Sequence, residues 1–149
     1  MRQIILSAAA LLVAGSAFAQ SPEDAMEARH GFMTMISIEM GTLAGMAKGE
    51  VGYDEAAATA AASNLMALAQ YDAPKLFVKG SSSDDLEGSD ALPAIWTDRN
   101  DFEAKFAALR EATAGIDQAV TGGQGNLGPV VQQLGVTCRN CHQPYRMDR

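Results

Sequence analysis

The sequence predicts an all-α protein, an antiparallel four-helix bundle. Three observations predict it. Apolar side chains recur at three- and four-residue spacing almost throughout. Breaks rich in proline, glycine and serine divide that pattern into four segments, and no stretch alternates apolar and polar as a strand does. Connections that are mostly short place consecutive helices side by side in opposite directions.

The first nineteen residues stand apart. Arg2 gives a positive start, an apolar run extends from Ile4 to Val13, and Ala17-Phe18-Ala19 has the small-x-small form of a signal-peptidase site. The run is too short to span a bilayer. It reads as a leader cleaved after Ala19, with export to the periplasm, and leaves one domain over 20–149.

The first helix starts at Ser21-Pro22-Glu23-Asp24, which combines a capping serine, proline in the first turn and acids at the positive end of the dipole. Its stripe runs Met26, Arg29, Met33, Ile36, Met40, Leu43, Ala47 and stops at Gly49. Tyr53-Asp54-Glu55 opens an alanine-rich second helix that ends near Tyr71-Asp72-Ala73-Pro74. Residues 72–91 form the one long irregular stretch, placed to wall a site. Ser89 or Asp90 caps the third helix, whose stripe is Ile95, Arg99, Phe102, Phe106, Leu109, Thr113, Ile116, Val120. Thr121 to Asn126 breaks it. The last helix carries Leu127, Val130, Leu134, Cys138, Cys141 and Tyr145 along one side.

Loss of Arg2 with the leader leaves ten basic side chains against eighteen acidic ones, a charge of about −8. That surface repels nucleic acid and anionic lipid, and its charged partners would present basic patches. No second apolar stretch is long enough for a membrane span.

The chain has two cysteines, in Cys138-Arg139-Asn140-Cys141-His142. An exported protein meets an oxidising compartment, yet a disulfide closing so short a loop adds little stability. One helical turn presents both sulfurs to the two vinyl groups on one edge of a haem, and the histidine that follows falls beneath the iron. The reading is one haem c, held by two thioethers, with His142 as proximal ligand. A thioredoxin-like pair would start a helix after a strand, and a structural zinc site needs four ligands, whereas the only other histidine is His30.

A C-terminal C-x-x-C-H on the last of four helices resembles the class II c-type cytochromes, the cytochrome c-prime family. Supporting pattern comes from Arg29, from Met46-Ala47-Lys48-Gly49-Glu50 with Tyr53-Asp54, from Ala94-Ile95-Trp96 and from His142-Gln143-Pro144-Tyr145-Arg146. The resemblance implies that the first helix crosses the distal haem face, with Met33 at the position of the family's distal residue. That residue is typically apolar and non-coordinating in the high-spin members and a coordinating methionine in the low-spin branch. A thioether favours ferrous iron and suits an electron carrier. The sequence therefore reads first as a carrier of single electrons between periplasmic redox partners, with Met33 as distal ligand. The alternative is a five-coordinate cytochrome c-prime that binds small gases such as NO or CO, with Met33 as an apolar lid. An enzyme is the poorest reading, because no distal general acid–base pair is visible.

By the same resemblance Arg29 serves a haem propionate, since a buried guanidinium needs an anion. His30 and Asp90 are weaker haem-edge contacts, and Arg146 matches the family's proximal arginine. Trp96 and Tyr145 read as packing residues. The family also implies a homodimer through the first two helices. The face Gly41, Gly45, Gly49 permits close helix approach, or makes room for the macrocycle within one chain.

Overall fold

The computed structural model describes residues 20–148. The leader expected over 1–19 and its cleavage after Ala19 lie outside them. Four long helices make the bundle: α1 (Pro22–Lys48), α2 (Glu55–Ala69), α4 (Arg99–Thr113) and α6 (Leu127–Tyr145). Two single turns, α3 (Ala94–Thr97) and α5 (Ile116–Ala119), flank α4. Neighbouring helices pack α1 on α2, α2 on α4, α4 on α6 and α6 on α1, which closes the ring. Among the described residues the only β pairing is an isolated bridge between Ala91 and Arg146.

The helix starts follow the capping chemistry of the sequence. Ser21 Oγ accepts from the Asp24 N–H at 3.0 Å, and Asp54 Oδ1 accepts from Ala57 N–H at 3.0 Å. Each satisfies a donor that the first turn leaves open. Gly49, at φ +74°, ends α1 in the left-handed conformation. It thus stops a helix and gives no close-packing surface. Gly41 faces open space, and a Cβ at Gly45 would lie 3.6 Å from Val51.

The third helix is not continuous as expected. Asp98, at φ −125° and ψ 57°, leaves the helical region, and its carboxylate accepts from the Asp101 N–H, so α4 begins afresh there. At the far end Ala114 is extended and Gly115 has φ +73°, which separates α5. Apolar spacing carries across both breaks, so the stripe alone does not reveal them. Ser89 and Asp90 cap no helix. The Ser89 hydroxyl instead donates to Ser81 O at 2.9 Å.

Two apolar clusters fill the interior. The first joins Leu43, Met46, Leu65, Ile116, Val120, Leu127 and Leu134 at the end where α1 finishes. Tyr53 closes that end, its hydroxyl donating to Val120 O at 2.8 Å. The second gathers Phe32, Ile95, Phe102, Phe106 and Tyr145 where α6 finishes, with Met33, Trp96 and Cys141 packed against it. Phe77, Phe102, Phe106 and Tyr145 meet edge to face there, with ring centroids 4.6–6.4 Å apart.

Candidate haem-attachment site

The motif occupies the last turns of α6, where Cys138 and Cys141 are half-buried and unpaired. Burial raises the pKa of both thiols, that of Cys141 to about 11. They are therefore thiols at neutral pH. Since the thiolate is the nucleophile of disulfide exchange, neither behaves as the reactive cysteine of an oxidoreductase. Burial also lowers the pKa of His142, and the charge of Arg146 acts in the same direction. The neutral imidazole keeps the lone pair a metal requires.

Cys141 and Met33 pack against the same aromatic cluster, which brings α1 and the motif to one apolar region. The stripe expected of α1 faces the interior, with Arg29 and Leu43 buried and Met33, Ile36, Met40 and Ala47 packed against the two clusters. Phe32, placed at a flank by the sequence, is buried, whereas Met33 is half-buried at the cluster's edge. His30 is exposed beside the stripe.

Arg29 is 5% exposed and its partners are all neutral. One terminal amino group donates to Leu76 O and Ser81 Oγ, at 3.3 and 2.7 Å. The other donates to Ser81 O and Ser89 Oγ, at 3.0 and 3.3 Å. The guanidinium lies 4.8 Å from the centroid of the Phe77 ring. All four terminal N–H bonds are committed within the chain, so only Nε–H is left for a propionate. Ser81 and Ser89, both buried, were not candidates, because a Gly-Ser-Ser-Ser run reads only as loop.

Asp90 and Arg146 come together on the strap that joins the 77–93 segment to the end of α6. Their charged groups are 3.8 Å apart. Met147 N–H donates to Asp90 O at 2.8 Å, and Leu92 N–H donates to Tyr145 O at 3.0 Å. The long connection is thereby fastened to the residues that follow His142.

Tyr145 does more than pack. Its hydroxyl donates to Asp101 Oδ2 at 2.6 Å, and Lys105 holds the other carboxylate oxygen at 3.1 Å. The phenol bond, then Lys105, keeps Asp101 below the usual carboxylate range, and the same bond pushes the Tyr145 pKa up. A depressed carboxylate stabilises the fold above its unfolded pKa and loses that contribution as pH falls through its folded pKa. In Tyr145→Phe the stability deficit measured by urea unfolding is accordingly expected to narrow as the pH is lowered below about 4. A deficit constant with pH would assign Tyr145 to packing alone.

The donor set fits a macrocycle that brings its own metal. Among the described residues no three His, Cys, Asp or Glu side chains converge on a point that could hold a bare ion. A single helical turn carries two free thiols and an imidazole, and the wall beside it is aromatic. Within that wall the indole N–H of Trp96 is buried with no hydrogen-bond partner.

Residues 24–146 match the sequence profile of the family described as Cytochrome C'. A cytochrome c' of Cereibacter sphaeroides is 41% identical over 149 residues, covering 100% of both chains. The solved cytochrome c' from Rhodobacter spheriodes superposes with a TM-score of 0.82 at 43% identity, over 87% of this chain and 99% of that one. A nitric oxide complex of a variant cytochrome c prime from Alcaligenes xylosoxidans superposes with a TM-score of 0.72 at 29% identity, over 86% of this chain and 98% of that one. Attachment turn, bundle and similarity along the chain agree: the chain belongs to the cytochrome c' family, and its cofactor is a covalently attached haem c.

Proposed function

We propose that the protein is a periplasmic cytochrome c' that binds a small neutral gas, NO or CO, on the haem face opposite His142. The observation that carries this reading is the chemistry α1 offers there. Phe32, Met33 and Ile36 border the aromatic cluster, and none of them titrates. The terminal amino groups of Arg29, one helical turn before Met33, are committed to Leu76, Ser81 and Ser89. A face lined this way gives an incoming neutral diatomic a dry apolar seat and supplies no proton relay of the kind an oxygen-activating enzyme needs. The haem supplies the iron that takes the gas or exchanges an electron. His142 would hold the iron, and Cys138 and Cys141 would carry the thioethers that attach the haem. Arg29 through Nε, His30, Asp90 and Arg146 are assigned to the propionate and proximal edge. The Alcaligenes xylosoxidans relative, with nitric oxide bound, supports the same direction.

A second reading has its own support. Met33 packs against the cluster that also takes Cys141, and its thioether would supply the soft ligand that suits a carrier of single electrons. Absorption spectra separate the two. On the first reading the ferrous protein takes up CO directly, and Met33→Ala speeds uptake without changing the spin state of the unliganded protein. A sulfur-to-iron charge-transfer band in the ferric protein, with CO uptake only after Met33 is replaced, would overturn it in favour of the second.

Two further assignments accompany this function. The leader and the attachment chemistry place the protein in the periplasm. No helix among the described residues is long and apolar enough to cross a membrane. Two copies pair through α1 and α2, where a groove of about 610 Å³ is lined by Phe32, Met35, Ile38, Leu68 and Tyr71. Met35 and Ile38 are 48% and 61% exposed, which is apolar surface that pairing would cover.

A further inference from the structure

Among the described residues, the indole N–H of Trp96 is the one buried side-chain donor or acceptor without a hydrogen-bond partner. Its Nε1 is buried and donates to no acceptor of the chain. A buried donor left unmade costs about 1–3 kcal/mol, and native interiors rarely leave one without a reason. The cluster it packs against is apolar and aromatic. Trp96 packs against the cluster of Phe32, Ile95, Phe102 and Phe106, on which Met33 and Cys141 also lie. The backbone leading to it is also anchored: Trp96 belongs to the single turn α3, and just before that turn Leu92 N–H donates to Tyr145 O and Asp90 O accepts from Met147 N–H. Both anchors fall within five residues of His142.

The cofactor attached at Cys138 and Cys141 brings two carboxylates. Its pyrrole nitrogens are taken by iron, so the propionates are its free acceptors. Arg29, expected to serve them, has both terminal amino groups bonded to Leu76, Ser81 and Ser89. We propose that Trp96 donates its indole N–H to a haem propionate, and so is a cofactor-binding residue as well as a packing one. This inference rests on the haem attachment argued above. Its consequence is electrostatic. A donor on the carboxylate spreads its negative charge and weakens the pull that charge exerts on ferric iron, so the bond raises the reduction potential.

The chain has one tryptophan, so its spectroscopic signature is unambiguous. Haem staining on a denaturing gel first establishes attachment in the wild type and in Trp96→Phe. An unstained wild type would sink the haem reading itself, separately from this inference. In the stained holoprotein, ultraviolet resonance Raman of the indole is expected to report a hydrogen-bonded N–H. Trp96→Phe keeps an aromatic ring but no donor, and is expected to shift the redox equilibrium toward ferric iron by roughly three- to tenfold, tenfold being about 59 mV for one electron. A free indole N–H overturns the proposal. So does a bonded indole with an unmoved potential, which would assign the partner to a buried water. The Raman measurement needs no variant, so it decides even if the phenylalanine protein fails to mature.

Discussion

Replacing Cys138 and Cys141 together by serine is expected to yield a polypeptide that retains no haem after denaturation, while each single replacement retains one thioether and stains more weakly. The expectation follows from the state of the two sulfurs. Both are half-buried and free, and burial holds the Cys141 thiol at a pKa of about 11. Disulfide formation proceeds through the thiolate, which this environment suppresses. The pair is thus held in the S–H form, from which each sulfur would bond to a vinyl carbon while its hydrogen goes to the neighbouring carbon. Loss of the haem also removes its packing and the bond to His142, which form only in the folded chain, so the thermal transition of the double variant is expected to fall below that of the wild type. Haem stain persisting in the double variant would place the attachment elsewhere and remove the basis of the site.

Local chemistry was legible in the sequence, and long-range chemistry was not. The serine and aspartate caps of α1 and α2 act on amides three residues away, and the attachment motif is contained in five consecutive residues. Both are therefore written where they act. The breaks at Asp98 and Gly115 escaped because apolar spacing continues across them, and the helix period cannot register a carboxylate that restarts a helix. That Phe32 is more buried than its neighbour Met33 is set by what α1 packs against, which periodicity reports only to within a residue. The partners of Arg29 lie 47 to 60 residues away in a serine-rich loop, and nothing local marks Ser81 as fully buried. Trp96 read as packing because its ring does pack. Only the absence of an acceptor for its N–H sets it apart.

Arg29 is the position where a single substitution is expected to cost the most stability without touching the haem motif. Four hydrogen bonds from one side chain join α1 to the turn Ala73–Leu76 and to both ends of the 81–89 loop. Arg29→Met keeps length and apolar character but leaves Leu76 O, Ser81 O and two serine hydroxyls without that donor. Some of the loss is recovered locally, because Ser81 Oγ also donates to Val78 O and Ser89 Oγ to Ser81 O. Hydrogen bonds from a charged donor contribute about 1.5–3 kcal/mol each in isolation, and buried groups sharing one donor do not add. A net loss of roughly 3–5 kcal/mol is expected in chemical unfolding of the holoprotein, with faster amide exchange confined first to 76–89. Arg29→Lys keeps the charge but replaces the planar fork by a single ammonium that cannot span the same acceptors, and falls between. A double-mutant cycle with Ser89→Ala isolates the clamp from the charge. Coupling above about 0.5 kcal/mol identifies the serine as a true partner. If Arg29→Met instead lay within about 0.5 kcal/mol of the wild type, the guanidinium would not be what fastens the loop, and its burial would have to be explained by the cofactor alone.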